Sequence, residues 1–187
     1  MSIANRIDEQ TYLAMAADEA GRFLELWDGV PKAKPGMSWE HNDLSFELGH
    51  DLRLQLDPSE YRVRVNSSRV RRPTTSYFIP DVTVVPVALG QHLRDKPGVI
   101  EVYEEPLPLV VEIWSKSPGE YDLSTKLAAN QARGDAEIWR LHPYEQTLTR
   151  WVRQANGTYV EESFVGGLVA LAALPGVVVD LDALFAR

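Results

Sequence analysis

The chain has 187 residues, no cysteine and a formal net charge of −8. This length suits a single domain spanning residues 1–187, and a hydrophobic content of 44% is that of a globular protein. The absence of cysteine excludes disulfides, thiolate zinc sites and a cysteine nucleophile, and the acidic balance argues against general nucleic-acid binding.

The N-terminal residues lack the basic-then-apolar order of a signal peptide. The longest apolar stretch, near residues 167–179, is interrupted by Pro175-Gly176 and is too short to span a bilayer. We therefore expect a soluble cytoplasmic protein without a membrane partner.

The first third of the chain predicts helices and short strands in alternation. Ser38 is the expected N-cap of the longest helix, which carries leucines at helical spacing. Periodicity and turn residues place the elements at residues 8–20 (helix), 22–27 (strand), 30–36 (strand or loop), 38–56 (helix) and 61–65 (strand).

The remainder predicts a sheet with one more long helix. The order indicates an α+β fold with a mixed sheet flanked by helices and with additional antiparallel strands. The expected elements are buried strands at 78–85 and 107–114, a polar loop with a helical turn at 90–105, a helix at 122–133, a strand at 136–141, a hairpin at 146–164 turning at Asn156-Gly157, and a strand with a short helix after Gly176.

The two buried strands each contain one carboxylate, Asp81 in the first and Glu112 in the second. An ionised acid among apolar residues is costly unless a cation compensates it. Carboxylates from adjacent strands can share one Mg²⁺ or Mn²⁺, which prefer oxygen ligands. Lys126, near the start of the following helix, is placed to stabilise negative charge beside such a metal.

Arginines are concentrated just before Asp81. Between residues 53 and 72 six arginines face only two acidic residues. One interpretation is a nucleic-acid-binding strand, since arginine makes forked contacts with phosphate; the other is a solvated surface whose charges balance acidic neighbours. The candidate nucleic-acid-binding residues are Arg62, Arg64, Arg71 and Arg72.

Several motifs together resemble one family, the Uma-type putative restriction endonucleases of the PD-(D/E)XK nuclease superfamily. The resemblance extends over nearly the whole chain. The matching segments are Glu25-Leu26-Trp27-Asp28-Gly29, His41, Pro80-Asp81, Pro108 to Ile113 with Ser115 and Ser117-Pro118, Asp122 with Lys126, Ala136 to Trp139, and Leu174-Pro175-Gly176.

The resemblance implies a restriction-endonuclease-like core and a metal-dependent nuclease that acts on DNA. It makes Asp81 and Glu112 the ligands of Mg²⁺ or Mn²⁺, with the Ile113 carbonyl as a third. Glu25 and His41 are further candidate site residues, because each stands at a position that matches a motif of the family.

The chain also departs from the family pattern. The superfamily's lysine lies two residues after the glutamate, and this chain has Trp114 at that position. Lys126, on the next helix, resembles a relocated replacement for that lysine. Lys116 is a weaker substitute. Asn130 stands where the family has a tyrosine and His142 where it has an aspartate.

Each candidate also has a structural interpretation. Asp81 can equally be a strand-end acid paired with Arg71 or Arg72, and His41 a capping or packing residue. The histidines lack metal-ligand spacing. Two functions therefore remain open: a Mg²⁺-dependent DNA endonuclease, for which symmetry favours a homodimer, and a catalytically silent module that binds nucleic acid or protein through the same fold. A serine hydrolase is disfavoured because no Gly-x-Ser-x-Gly motif occurs.

Overall fold

The computed structural model describes residues 5–72, 75–116 and 120–186, with the side chains of 120–123 excepted. Its helices are α1 (Glu9–Ala17), α2 (Trp39–Gln55), α3 (Val87–Gly90), α4 (Glu120–Arg133) and α5 (Leu181–Phe185). Its strands are β1 (Leu24–Trp27), β2 (Val30–Ala33), β3 (Tyr61–Val65), β4 (Arg69–Arg72), β5 (Ser76–Phe78), β6 (Val82–Pro86), β7 (Val102–Tyr103), β8 (Leu109–Ile113), β9 (Glu137–His142), β10 (Thr147–Arg153), β11 (Tyr159–Phe164), β12 (Leu168–Ala170) and β13 (Val178–Asp180).

The central sheet has the strand order β11-β10-β9-β8-β6-β3. β8 and β9 are parallel, while the other neighbours are antiparallel, so the sheet is mixed. The helix α4 connects β8 to β9, as a parallel pair requires. The predicted α+β class with a mixed sheet is confirmed.

Both faces of β6 and β8 are buried, which explains their apolar runs. Val84 and Val111 face α2 and pack with Leu48 in the largest core cluster. Val85 and Val110 face the opposite side, where they pack in a second cluster with residues of α4 and of the second sheet. Alternating side chains of a strand serve different layers in this way.

A second sheet, ordered β2-β1-β5-β4-β7, covers part of that opposite side. The prediction of one strand over residues 78–85 is wrong, because β5 belongs to the second sheet and β6 to the central sheet. The chain crosses between the sheets at Ile79-Pro80-Asp81, where Pro80 has no N–H to continue a ladder. The residues on both sides of this crossover are buried and apolar, so composition alone predicts one continuous strand. Asp81 consequently lies at a junction rather than inside a strand.

Most other predicted elements are confirmed with shifts of a few residues. The Ser38 Oγ accepts the His41 N–H and caps α2, and the β10–β11 hairpin turns at Asn156-Gly157 with Gly157 at φ 85°. The predicted loop at 90–105 instead contains β7, which pairs in parallel with β4. Among the described residues, no helix is both long and apolar enough to cross a membrane.

Candidate functional site

Six ionisable side chains from six separate parts of the chain converge where the two sheets, α2 and α4 meet. Their exposed fractions lie between 1% and 9%. They are Glu25 on β1, Lys34 just after β2, His41 on α2, Asp81 at the sheet crossover, Glu112 on β8 and Lys126 on α4. The structure therefore brings together the predicted Asp81, Glu112 and Lys126 with both tentative residues, Glu25 and His41.

Asp81 is held by three donors. The Lys34 Nζ lies 2.8 Å from Oδ1, and Oδ2 accepts the Ile113 N–H at 2.6 Å and lies 3.2 Å from the His41 Nε2. Burial alone would raise the pKa of Asp81, but the Lys34 ammonium and the His41 hydrogen bond outweigh burial and hold that pKa well below its usual range. Asp81 is thus a charged carboxylate inside the protein.

The partners of Asp81 correct one expectation. Pairing of Asp81 with Arg71 or Arg72 is wrong, because Lys34 and His41 take that position. Lys34 lies 47 residues from Asp81 in the sequence, and no motif marks it. Sequence reasoning missed it, since nothing local distinguishes a buried lysine in a hairpin from a solvated one.

Lys126 joins the other two carboxylates. Its Nζ lies 3.0 Å from the Glu25 Oε1 and 3.3 Å from the Glu112 Oε2. Glu25 also accepts the Ile79 N–H at 2.8 Å and the Trp27 indole N–H at 2.9 Å. Glu25 therefore both fixes the sheet crossover beside Asp81 and orients Lys126.

Glu112 differs from Asp81 in its surroundings. Burial raises the pKa of Glu112 to about 8; the Lys126 charge only partly offsets this effect, and the nearby Asp81 charge adds to it. The second oxygen, Oε1, is buried and has no hydrogen-bond partner among the described residues. A buried carboxyl with an open oxygen is poised to accept a proton or a cation.

Glu112 lines a small cavity between α4 and β9. Asn130, whose buried Nδ2 has no hydrogen-bond partner among the described residues, lines the same cavity. Its volume of about 10 Å³ corresponds to roughly one water position.

The donor set fits one hard cation with oxygen ligands. Asp81 and Glu25 face the ammonium groups of Lys34 and Lys126, and Glu112, whose pKa is raised to about 8, would exchange its proton for the cation. Of the possible ligand atoms, Glu112 Oε1 is open and Asp81 Oδ1 has a single described donor, Lys34. Within the described part of the chain, however, no three His, Asp or Glu side chains are arranged to enclose a metal. Any metal here therefore needs the Ile113 carbonyl, substrate or water to complete its shell.

The predicted nucleic-acid-binding arginines lie elsewhere and have protein partners. Arg64 contacts both carboxylate oxygens of Glu101 at 2.7 and 2.9 Å, and Arg71 contacts Glu9 and Glu104. Arg62 donates to the carbonyls of Pro58 and Tyr61. These contacts favour the charge-balancing interpretation of Arg64 and Arg71. Arg72 lies at the end of β4 and is half-buried.

Aromatic rings surround Trp114, at the position two residues after Glu112 where the resemblance led us to expect a lysine. The Trp114 ring stacks on His142 with centroids 4.4 Å apart, and Tyr144 packs edge-on at 5.8 Å. Lys116 is exposed. The predicted Ser117-Pro118-Gly119 turn and the side chain of Asp122 lie outside the described residues.

Comparison with known proteins is informative at the level of fold and family. The chain is similar to a putative nuclease belonging to DUF820 from Anabaena variabilis ATCC 29413, with a TM-score of 0.69 and 19% identity over 87% of this chain and 89% of that chain. This likeness shows that the two chains share a fold. No curated protein sequence matches the chain. The family model described as Uma2, putative restriction endonuclease, matches residues 9–182. The chain therefore belongs to the Uma2 family.

Proposed function

We propose that the protein is a Mg²⁺- or Mn²⁺-dependent endonuclease that hydrolyses DNA phosphodiester bonds. The observation that carries this proposal is the buried Asp81–Glu112 pair, in which Asp81 stays charged and Glu112 presents an open oxygen. Such an arrangement is unfavourable for stability alone. Membership of a restriction-endonuclease family supports DNA as the substrate.

In this proposal Asp81, Glu112 and the Ile113 carbonyl hold the metal. A bound divalent ion would supply Lewis acidity toward a phosphodiester oxygen and a more acidic water. Lys34 and His41 keep Asp81 ionised and fixed, as their contacts with its carboxylate indicate. Lys126 supplies positive charge for the phosphorane-like transition state, and Glu25 orients its ammonium group.

The test is nicking of supercoiled plasmid with Mg²⁺ or Mn²⁺ and with EDTA. We expect metal-dependent nicking by the wild type and none by Asp81→Ala or Glu112→Ala. Glu137→Gln is the matched control, because Glu137 is an equally buried carboxylate that accepts hydrogen bonds from Trp139 and Ala172 instead of joining the site. Nicking that persists in both alanine variants would overturn the site assignment.

A second candidate is a catalytically silent module that binds nucleic acid or protein. The observation that favours it is the aromatic stack of Trp114 and His142 at the position of the superfamily's lysine. It predicts no nicking with any metal, together with measurable DNA binding in a fluorescence anisotropy titration. Metal-dependent nicking that Asp81→Ala removes would exclude this candidate.

A further inference from the structure

The ammonium group of Lys34 is surrounded by oxygen atoms. Its Nζ lies 2.6 Å from the Asn66 Oδ1, 2.7 Å from the Ile79 carbonyl oxygen and 2.8 Å from the Asp81 Oδ1. The Lys34 side chain is only 4% exposed. Each of the three ammonium hydrogens therefore has a protein oxygen as its partner.

These oxygens form the donor set of a hard cation. A carboxylate, a side-chain amide and a backbone carbonyl are the ligand types that Ca²⁺ and related ions use in proteins. We call the Asn66 Oδ1, Ile79 O and Asp81 Oδ1 the oxygen cage. In the structure the cage holds the head group of a lysine in place of an ion.

The backbone segments that carry the cage oxygens are held by hydrogen bonds that do not involve Lys34. The Asn66 N–H donates to the Asp81 carbonyl at 2.9 Å, and Asn66 itself adopts a left-handed conformation with φ 48°. The Ile79 N–H is bound by Glu25 at 2.8 Å. Lys34 enters from a separate hairpin, anchored by its own N–H to the Phe23 carbonyl at 2.8 Å. Removal of the lysine head group therefore leaves the backbone that carries the three cage oxygens held in place.

The cage borders a cavity at Lys34 and Asn66. A cavity of about 260 Å³ is lined by Lys34, Asn42 and Asn66, with Phe23 and Met37 on its apolar side. A small hydrated ion that replaces the ammonium group would enter through this cavity.

We propose that Lys34 is a tethered cation that permanently fills one cation site beside Asp81 and so limits the protein to a single divalent ion at Glu112. Shortening Lys34 to alanine opens the oxygen cage to a second hard cation. The single ion at Glu112 rests on the function proposed above, whereas the oxygen cage does not.

The experiment is a Mn²⁺ titration followed by the electron paramagnetic resonance signal of free Mn²⁺. We expect one bound equivalent for the wild type and two for Lys34→Ala. Lys32→Ala is the matched control, because Lys32 lies on the same hairpin but is exposed over the Trp27 ring at 4.2 Å. The control should bind one equivalent. Equal stoichiometry for Lys34→Ala and the wild type would overturn the proposal.

A double variant shows where the additional ion binds. Lys34→Ala with Asn66→Gly removes one cage oxygen, and glycine tolerates the left-handed conformation at residue 66. We expect the additional Mn²⁺ equivalent to be lost or its affinity to fall at least tenfold. Unchanged affinity would place the ion elsewhere and contradict the oxygen cage.

Thermal melting tests whether Lys34→Ala still folds. In EDTA, Lys34→Ala should melt at a lower temperature than the wild type, and millimolar Mg²⁺ should raise its melting temperature by more than it raises that of the wild type. A variant that stays unfolded or unresponsive to Mg²⁺ counts against the proposal. The outcomes also separate the two proposals: no ion in the wild type but one in Lys34→Ala would reject the Glu112 ion and retain the oxygen cage.

Discussion

Two groups of cation–carboxylate contacts in this protein have similar distances and very different surroundings. At the site, Lys126 and Glu25 are 3.0 Å apart with exposed fractions of 5% and 3%. On the surface, Arg71 and Glu104 are 2.7 Å apart with exposed fractions of 30% and 64%. The surface pair is the shorter of the two, so distance alone does not distinguish them.

Burial is what separates these groups. Water screens the surface pair, and the measured contribution of such pairs is roughly 0–1 kcal/mol. At the site the same charges interact through a medium of low dielectric constant, and every unmatched charge is costly. This is why the pKa of Glu112 rises to about 8 while that of Asp81 falls. The site therefore depends on the balance of its charges, whereas the surface does not.

The largest effect is expected from removing Lys126. Lys126→Met leaves Glu25 and Glu112 without their shared cation, and breaking a buried pair costs about 3–5 kcal/mol. We expect the free energy of unfolding in urea to fall by that amount and nicking to fall by roughly 100-fold or more. Lys116→Met, at an exposed lysine, is the control and should change neither. If Lys116→Met lost nicking and Lys126→Met retained it, the lysine that assists phosphodiester hydrolysis would be Lys116 and not Lys126.

An intermediate effect is expected from Glu112→Gln, as a change in pH dependence. The unfolded chain titrates Glu112 near its ordinary pKa of 4.5, while the folded protein holds that pKa at about 8. Between these values the unfolded state has lost the proton and the folded state keeps it, so metal-free stability falls as the pH rises through this window.

Glutamine carries no titrating proton, so the variant should lose this part of the pH dependence. We expect the wild type to lose stability between about pH 5 and pH 8 relative to Glu112→Gln, measured by urea unfolding in EDTA. The contribution of Asp81, whose pKa is lowered, appears only in acid below its ordinary value of 3.8. Parallel curves for the two proteins across the window would contradict the raised pKa.

The smallest effect is expected on the surface. Arg71→Gln removes the contacts with Glu9 and Glu104, and the free energy of unfolding should change by less than about 1 kcal/mol. Since its guanidinium is already engaged, we also expect DNA affinity to change less than twofold. A larger loss of affinity with a weaker salt dependence would show that Arg71 exchanges its glutamates for phosphate, as the nucleic-acid-binding prediction requires.

Local pattern was sufficient for a large part of the fold. The leucine spacing and the Ser38 cap located α2, and β-branched runs located β6 and β8. The same patterns failed at residues 78–85, where two strands of different sheets follow one another. The reason is that burial on both faces gives the same composition in either sheet, and the crossover is decided by pairing partners distant in sequence.

Asp81 and Glu112 were identifiable from the sequence because an ionisable residue inside an apolar run is locally conspicuous, and Lys126 was identifiable only in combination with them. Their partners followed from the tertiary structure alone: Lys34 reaches Asp81 across 47 residues, and Lys126 reaches Glu25 across 101. Charge pairing depends on distance in space and on dielectric surroundings, neither of which is encoded in neighbouring residues. Distance in space likewise decides that surface arginines pair with glutamates and that the Oε1 of Glu112 has no described hydrogen-bond donor.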